Sequence, residues 1–298
     1  MPPDPCELTD IKTALDRFAF PSASTQSSQH IKRMHWYVAC RLVLEGGFRP
    51  ETIVPRPPFK SVPRGDEWLL HHEPAVGGWG ERTLLGGLKT KDMDVSICLD
   101  GIGPVLAVSL KGTHNAFRNL TNRMEEAGGD CTNLHLSYPA LVYGFWHVLR
   151  ANDEADSTPS AHFPLDEKGR YKTEDVAIMA AGPPAAAVER YAHALERLSD
   201  RDDLRDSPSR YEACALTLVG ARRDNRAQVH PKFPVAGSVL DFQRMFHRLY
   251  ELYDRRYVYQ APSLGSITSR LQWSEESPII SGTILNNPAF AEFAPRIA

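Results

Sequence analysis

The residues with chemistry in them gather between 91 and 126, KDMDVSICLDGIGPVLAVSLKGTHNAFRNLTNRMEE, and they are Asp94, Ser109, Lys111 and Glu125. Carboxylate oxygens are the ligands a hard divalent cation takes, and an ammonium stabilises negative charge developing on a reacting group. These side chains do such chemistry only if the fold brings them to one surface. Otherwise Asp94, Lys111 and Glu125 form an ordinary ion network on a solvated face.

The same stretch encodes the elements that would position them. Period-two alternation predicts a strand with Met93, Val95, Ile97 and Leu99 on one face and Asp92, Asp94 and Ser96 on the other. A second strand puts Leu106, Val108 and Leu110 together, so that Ser109 and Lys111 leave from its opposite face. The short turn at 100–104 makes the two strands antiparallel neighbours. Helical spacing follows, with Phe117, Leu120, Met124 and Ala127 as the buried stripe, Glu125 at its edge and Glu126 nearer the far side.

In this order, an Asp, a Ser-x-Lys and a helix, the residues resemble the PD-(D/E)XK nucleases, and among them the type II restriction endonucleases. Asp94 matches the first acidic element of that motif. Ser109-Leu110-Lys111 matches the second, with Ser where most members have a carboxylate, and no Pro precedes Asp94. Some restriction enzymes that cut around a CCGG core have the same Ser-x-Lys and take the missing carboxylate from a Glu about one helix further on, which here points to Glu125. The resemblance covers residues 83–149 best.

It implies a Mg²⁺-dependent, sequence-specific double-stranded DNA endonuclease working as a homodimer or higher oligomer, since two strands call for two related sites. Asp94, Glu125 and the backbone carbonyl of Leu110 would be the metal ligands. Lys111 would sit beside the attacking water, and Ser109 would hold a water on the metal. Two other readings stay open. One is a nuclease effector of another phage-defence system, and the other a DNA-binding protein whose nuclease core has decayed, as the Ser in the motif allows.

The fold expected is α/β, a restriction-endonuclease-like core in which a mixed sheet is flanked by helices in the order α-β-β-β-α-β, with N-terminal helical and C-terminal additions. One domain spans 1–298, with the catalytic core at 28–149, while 150–298 completes the sheet and serves DNA recognition and oligomer contacts. The pattern predicts a short helix over 7–18, a break at 21–25, and a helix from Ser28 with Ile31, Met34, Val38 and Leu42 buried. Residues 48–64, rich in Pro and basic, read as extended loop. The first strand is expected at 83–88, just after Glu81, a candidate supplementary acid. GGDCTNLH reads as a turn capped by Asp130, and 140–149 as a central strand covered on both faces.

Further on, a helix at 183–198, a strand at 211–220 and a helix capped by Ser238 are expected. The loop after that strand carries Arg222, Arg223 and Arg226, candidate DNA contacts because a guanidinium fork matches guanine O6 and N7. Internal Arg–Asp pairing is the competing use of the same residues.

A net charge of −3 excludes a uniformly basic, histone-like binder but leaves room for local patches. Residues 31–65 carry seven Lys or Arg against two Glu, and 209–256 carry nine against five Asp or Glu, which makes these the two basic candidate surfaces. Nothing resembles a signal peptide or a membrane-spanning run, so the expectation is a soluble, cytoplasmic protein with no membrane partner. Cys6, Cys40, Cys98, Cys131 and Cys214 are odd in number and include no Cys-x-x-Cys, which argues against both zinc and a disulfide framework.

Overall fold

Strands long enough to be buried on both faces need helices on both sides, and the chain supplies them. The computed structural model describes residues 5–21, 28–160 and 163–298. In chain order its elements begin with α1 (Ile11–Ala19), α2 (Lys32–Leu44), β1 (Ile53–Val54), β2 (Phe59–Arg64), β3 (Glu67–His72), β4 (Arg82–Leu85) and β5 (Thr90–Met93). They continue with β6 (Val95–Leu99), β7 (Gly103–Thr113), α3 (Leu120–Ser137), β8 (Val142–Ala151), α4 (Ala186–Leu198), β9 (Ala213–Gly220) and α5 (Phe242–Tyr253).

One mixed sheet organises them, in the order β1-β6-β7-β8-β9. β1, β6 and β7 are antiparallel neighbours, whereas β7, β8 and β9 run parallel. All ten residues of β8 are buried. Its alternate side chains divide the interior: Trp146 and Val148 pack with α1, α2 and α5, while Tyr143, Phe145 and Leu149 pack with α3 and α4. β7 alternates in step, with Leu106, Val108 and Leu110 on the first side and Ala107 on the second. α1 closes down on the carboxyl end of β7 at Gly112, where any Cβ would come within 2.5 Å of the Phe18 ring.

Several boundaries differ from expectation for identifiable reasons. The segment at 82–85 does not join the main sheet but pairs with β5 as a separate hairpin, and the edge strand beside β6 is β1, inside the stretch expected to be loop. That stretch also holds β2, where Pro63 is tolerated because β2 and β3 form an isolated two-stranded ladder. GGDCTNLH is not a turn but the second half of α3. The buried Asp130 there is compensated by ion pairs to Lys89 and Lys91 rather than acting as a cap. The last long helix is capped by Asp241, whose Oδ1 accepts from Gln243 N at 2.7 Å, not by Ser238. Residues 22–25 of the expected break lie outside the described residues. Among the described residues no helix is long and apolar enough to cross a membrane, and all five cysteines are free thiols.

Candidate metal centre

Asp94 is the bend between β5 and β6, and it reverses the alternation expected there: Met93 joins the core beneath α3 and α4, whereas Val95 and Ile97 join the opposite one. The bend is where two hairpins part company. In the β4–β5 hairpin Arg82 pairs with Met93, so the next step outward sets Glu81 opposite Asp94. In the β6–β7 hairpin Val95 pairs with Val108, so the next step sets Asp94 opposite Ser109.

Asp94 therefore cannot continue either ladder, and its carboxylate takes a backbone partner instead. Its Oδ2 accepts the N–H of Leu110 at 2.8 Å. In an extended strand the N–H and C=O of one residue leave by the same edge, so the Leu110 carbonyl is directed to this edge as well. The Leu110 side chain lies in the core.

The third component comes from α2, a helix buried from Met34 to Leu44. Each polar side chain on such a helix needs a partner. Arg41 finds one in Glu45, at 2.6 Å. His35 has no such companion on its own helix: only 5% exposed, it brings Nε2 to 3.7 Å from Asp94 Oδ1, and that nitrogen has no hydrogen-bond partner. One ligand atom from each of His35, Glu81 and Asp94 lies within 4.8 Å of the others. Burial drives the His35 pKa down, against the upward pull of Asp94 and Glu81, while Lys111 adds to the depression. A neutral imidazole with an unused nitrogen beside two carboxylates is a donor set that fits a divalent cation.

Lys111 is half-buried and makes no ion pair among the described residues, so the ordinary ion network of Asp94, Lys111 and Glu125 is not formed. Its neighbour in β8, His147, is held neutral by burial with its pKa pushed down to about 3, and it bonds Thr113 Oγ1 at 2.9 Å. Ser109 is 2% exposed and its hydroxyl is 2.8 Å from the phenol oxygen of Tyr143. Burial holds that phenol's pKa well above its ordinary value, so the pair is a neutral hydrogen bond inside the core.

Glu125 is exposed on α3, makes no ion pair among the described residues and stands outside the cluster. Glu126, also exposed, pairs with Arg123 at 2.9 Å. The second carboxylate beside Asp94 is thus Glu81, placed by the β4–β5 register, rather than Glu125.

In the arginine loop, Arg222 is paired with Asp153 and Asp224, and Arg226 is held by Asp16 at 2.6 Å with its guanidinium 4.2 Å above the Phe20 ring. Arg223 is exposed and makes no ion pair among the described residues, and with Lys12, Arg17 and Arg226 it lines a groove beside α1.

His35 belongs to no motif in the sequence, and Glu81 stands there only as a supplementary acid. The available signal was a histidine one position from the apolar stripe of α2, where a polar side chain needs a reason to be. No family model, curated protein or solved structure matches the chain.

Proposed function

We propose that this chain is a metal-dependent DNA endonuclease, acting on duplex DNA as type II restriction enzymes do, with Mg²⁺ as cofactor. The observation that carries the reading is the orphaned, buried Nε2 of His35 beside two carboxylates, next to a lysine with no ion pair. His35, Glu81, Asp94 and the Leu110 carbonyl would hold the cation, which when bound lowers the pKa of a coordinated water and neutralises charge on the phosphate. Lys111 orients the attacking water and stabilises the charge that builds on the phosphoryl oxygens as the P–O bond breaks. Asp94 acts twice, as ligand and as the acceptor that fixes Leu110. Glu81 would supply the second negative charge that Ser109 cannot, which favours a working centre over a decayed core.

Duplex cleavage calls for two copies of the site, so the active form is a two-fold homodimer or larger assembly. Arg223 and its groove are the surface in the arginine loop with charge to spare for phosphate. The test is purified protein with plasmid and phage DNA in Mg²⁺, alongside Asp94→Ala and Lys111→Ala. Discrete fragments lost in both variants support restriction, a length-independent smear supports an effector nuclease, and intact DNA under all conditions refutes hydrolysis.

A further inference from the structure

The loop entering the metal centre reads Gly77-Gly78-Trp79-Gly80-Glu81. Trp79 is 60% exposed, whereas Trp36, Trp146 and Trp273 are at most 4% exposed and Trp68 is partly covered by Arg49, 4.6 Å above its ring. Burying an indole is among the largest gains a side chain can bring to a fold, so an indole left in solvent on an ordered loop is an unused binding element.

The loop is ordered because its root is held from two sides. Gly78 N donates to Arg56 O at 2.9 Å, and Cys6 N donates to Gly78 O at 2.7 Å. Gly77 lies so close to the Cys6 carbonyl that a Cβ would come within 2.5 Å of it. Beyond the root, Gly80 sits at φ +100 with open space around it, a turn that carries the chain past the indole to Glu81. Trp79 thus stands in solvent one residue from this anchored root and two residues from Glu81. Arg56, joined to Gly78 through its backbone, is itself exposed and makes no ion pair among the described residues.

An exposed indole on a loop whose root is bonded to the backbone of an arginine with no ion pair suits a nucleotide: the ring offers a stacking face to a base, and the guanidinium has charge free for a neighbouring phosphate. We propose that Trp79 stacks on a base next to the scissile phosphate while Arg56 contacts the adjoining phosphate, so that the substrate is bound with one base out of the helical stack. An indole cannot lie on a base face that is already covered by its neighbours in a duplex. The site therefore needs its duplex substrate locally opened at this step, a condition that a single strand already meets. The inference rests on the nuclease reading above and adds the state of the strand that the centre engages.

The test is binding in Ca²⁺ and cleavage in Mg²⁺ of one oligodeoxynucleotide, presented single-stranded and as a duplex. Wild type is compared with Trp79→Leu, Trp79→Phe and Arg56→Gln, with Trp68→Leu as control. The expected results are quenching of intrinsic tryptophan emission by the single strand, abolished in Trp79→Leu and kept in Trp68→Leu. Trp79→Leu should bind roughly tenfold more weakly, equal to about 1.4 kcal/mol. It should show that loss in KM with kcat held within about twofold, and Trp79→Phe should recover most of the affinity. Arg56→Gln should reduce the slope of log affinity against log salt by about one.

Wild-type affinity in Trp79→Leu, with emission unmoved by DNA in the wild type, overturns the stacking role and leaves the nuclease reading in place. A wild type that neither binds nor cleaves either form overturns the nuclease reading itself, and this inference with it.

Discussion

Replacing His35 by Leu should raise the stability of the metal-free protein and at the same time abolish its response to divalent cations. In the folded chain His35 Nε2 is buried without a hydrogen bond, 3.7 Å from Asp94 Oδ1. A buried polar atom left unsatisfied costs about 1–3 kcal/mol. Leu is close to His in volume and carries nothing that needs a partner, so most of that cost is recovered, less about 1 kcal/mol for imperfect repacking. The net gain of about 1 kcal/mol corresponds to roughly 1.5–2 °C in melting temperature for a chain of this length.

Cation binding has the opposite sign. A cation at about a hundred times its dissociation constant stabilises a folded protein by about 2.7 kcal/mol, several degrees in Tm, and this increment should be large in wild type and nearly gone in His35→Leu. The assay is a thermal melt in chelator and across a titration of Mg²⁺ and, separately, Mn²⁺, whose tolerance of an imidazole ligand should make its increment the larger. A His35→Leu protein that melts several degrees lower in chelator and responds to both cations like wild type would refute the argument, because His35 would then be a packed residue with no ligand role.

Three further outcomes follow from particular contacts. Glu81→Gln should abolish cation-dependent stabilisation and any cleavage, whereas Glu125→Ala should leave both within about twofold, since Glu125 stands outside the cluster; the reverse pattern would restore the helix carboxylate as ligand. Glu212 is buried between Arg201 and Arg256 at 2.7 Å each and accepts the Tyr143 N–H at 2.8 Å. Burial raises its pKa, but His135, Arg256 and the Tyr143 N–H outweigh that and hold it below the usual range. Glu212→Gln leaves two guanidiniums buried without an anion and should cost about 3–5 kcal/mol in a urea titration; a loss under about 1 kcal/mol would mean that the site relaxes or admits water.

Acid should also destabilise the fold. Burial lowers the pKa of His35 and pushes His114 and His147 down to about 3, so between there and the ordinary value near 6.5 the unfolded chain binds more protons than the folded one. Stability then rises with pH through that window and is lost as pH falls, by up to about 1.4 kcal/mol per pH unit for each histidine. Equal urea midpoints at pH 7 and pH 5 would contradict it.

The sheet was legible from the sequence wherever an element is buried on both faces or keeps strict alternation. The almost continuous apolar run at 140–149 and the Leu106, Val108, Leu110 pattern were each enough to place a strand. What escaped were elements specified by pairing alone. β1 is two residues long and sits in a proline-rich stretch, so neither length nor composition marks it, and only the ladder Ile53–Ile97 and Val54–Ser96 makes it a strand. The second half of α3 reads like a turn because Gly128, Gly129 and Asp130 each weaken a helix locally. Lys89 and Lys91, forty residues earlier, supply the charge that lets Asp130 stay inside.

The candidate site divides along the same line. Asp94 and Lys111 stood out as polar members of two alternating strands, in the order Asp, Ser-x-Lys, helix, a signal contained within residues 91–126. His35 and Glu81 carry no such mark. Glu81 reaches Asp94 only because the β4–β5 register, which pairs Arg82 with Met93, runs one step past the end of the ladder. His35 reaches it only because α2 is buried from Met34 onward and must direct each polar side chain to whatever the sheet edge offers. Ser109 illustrates the converse. It lies opposite Asp94 in the extended register, yet its hydroxyl is claimed by Tyr143 from the neighbouring strand. A residue's place in a motif fixes where its Cα lies. What its side chain can hold is decided by partners distant in sequence, and here those partners move the second negative charge from the motif and its following helix to the hairpin in front of them.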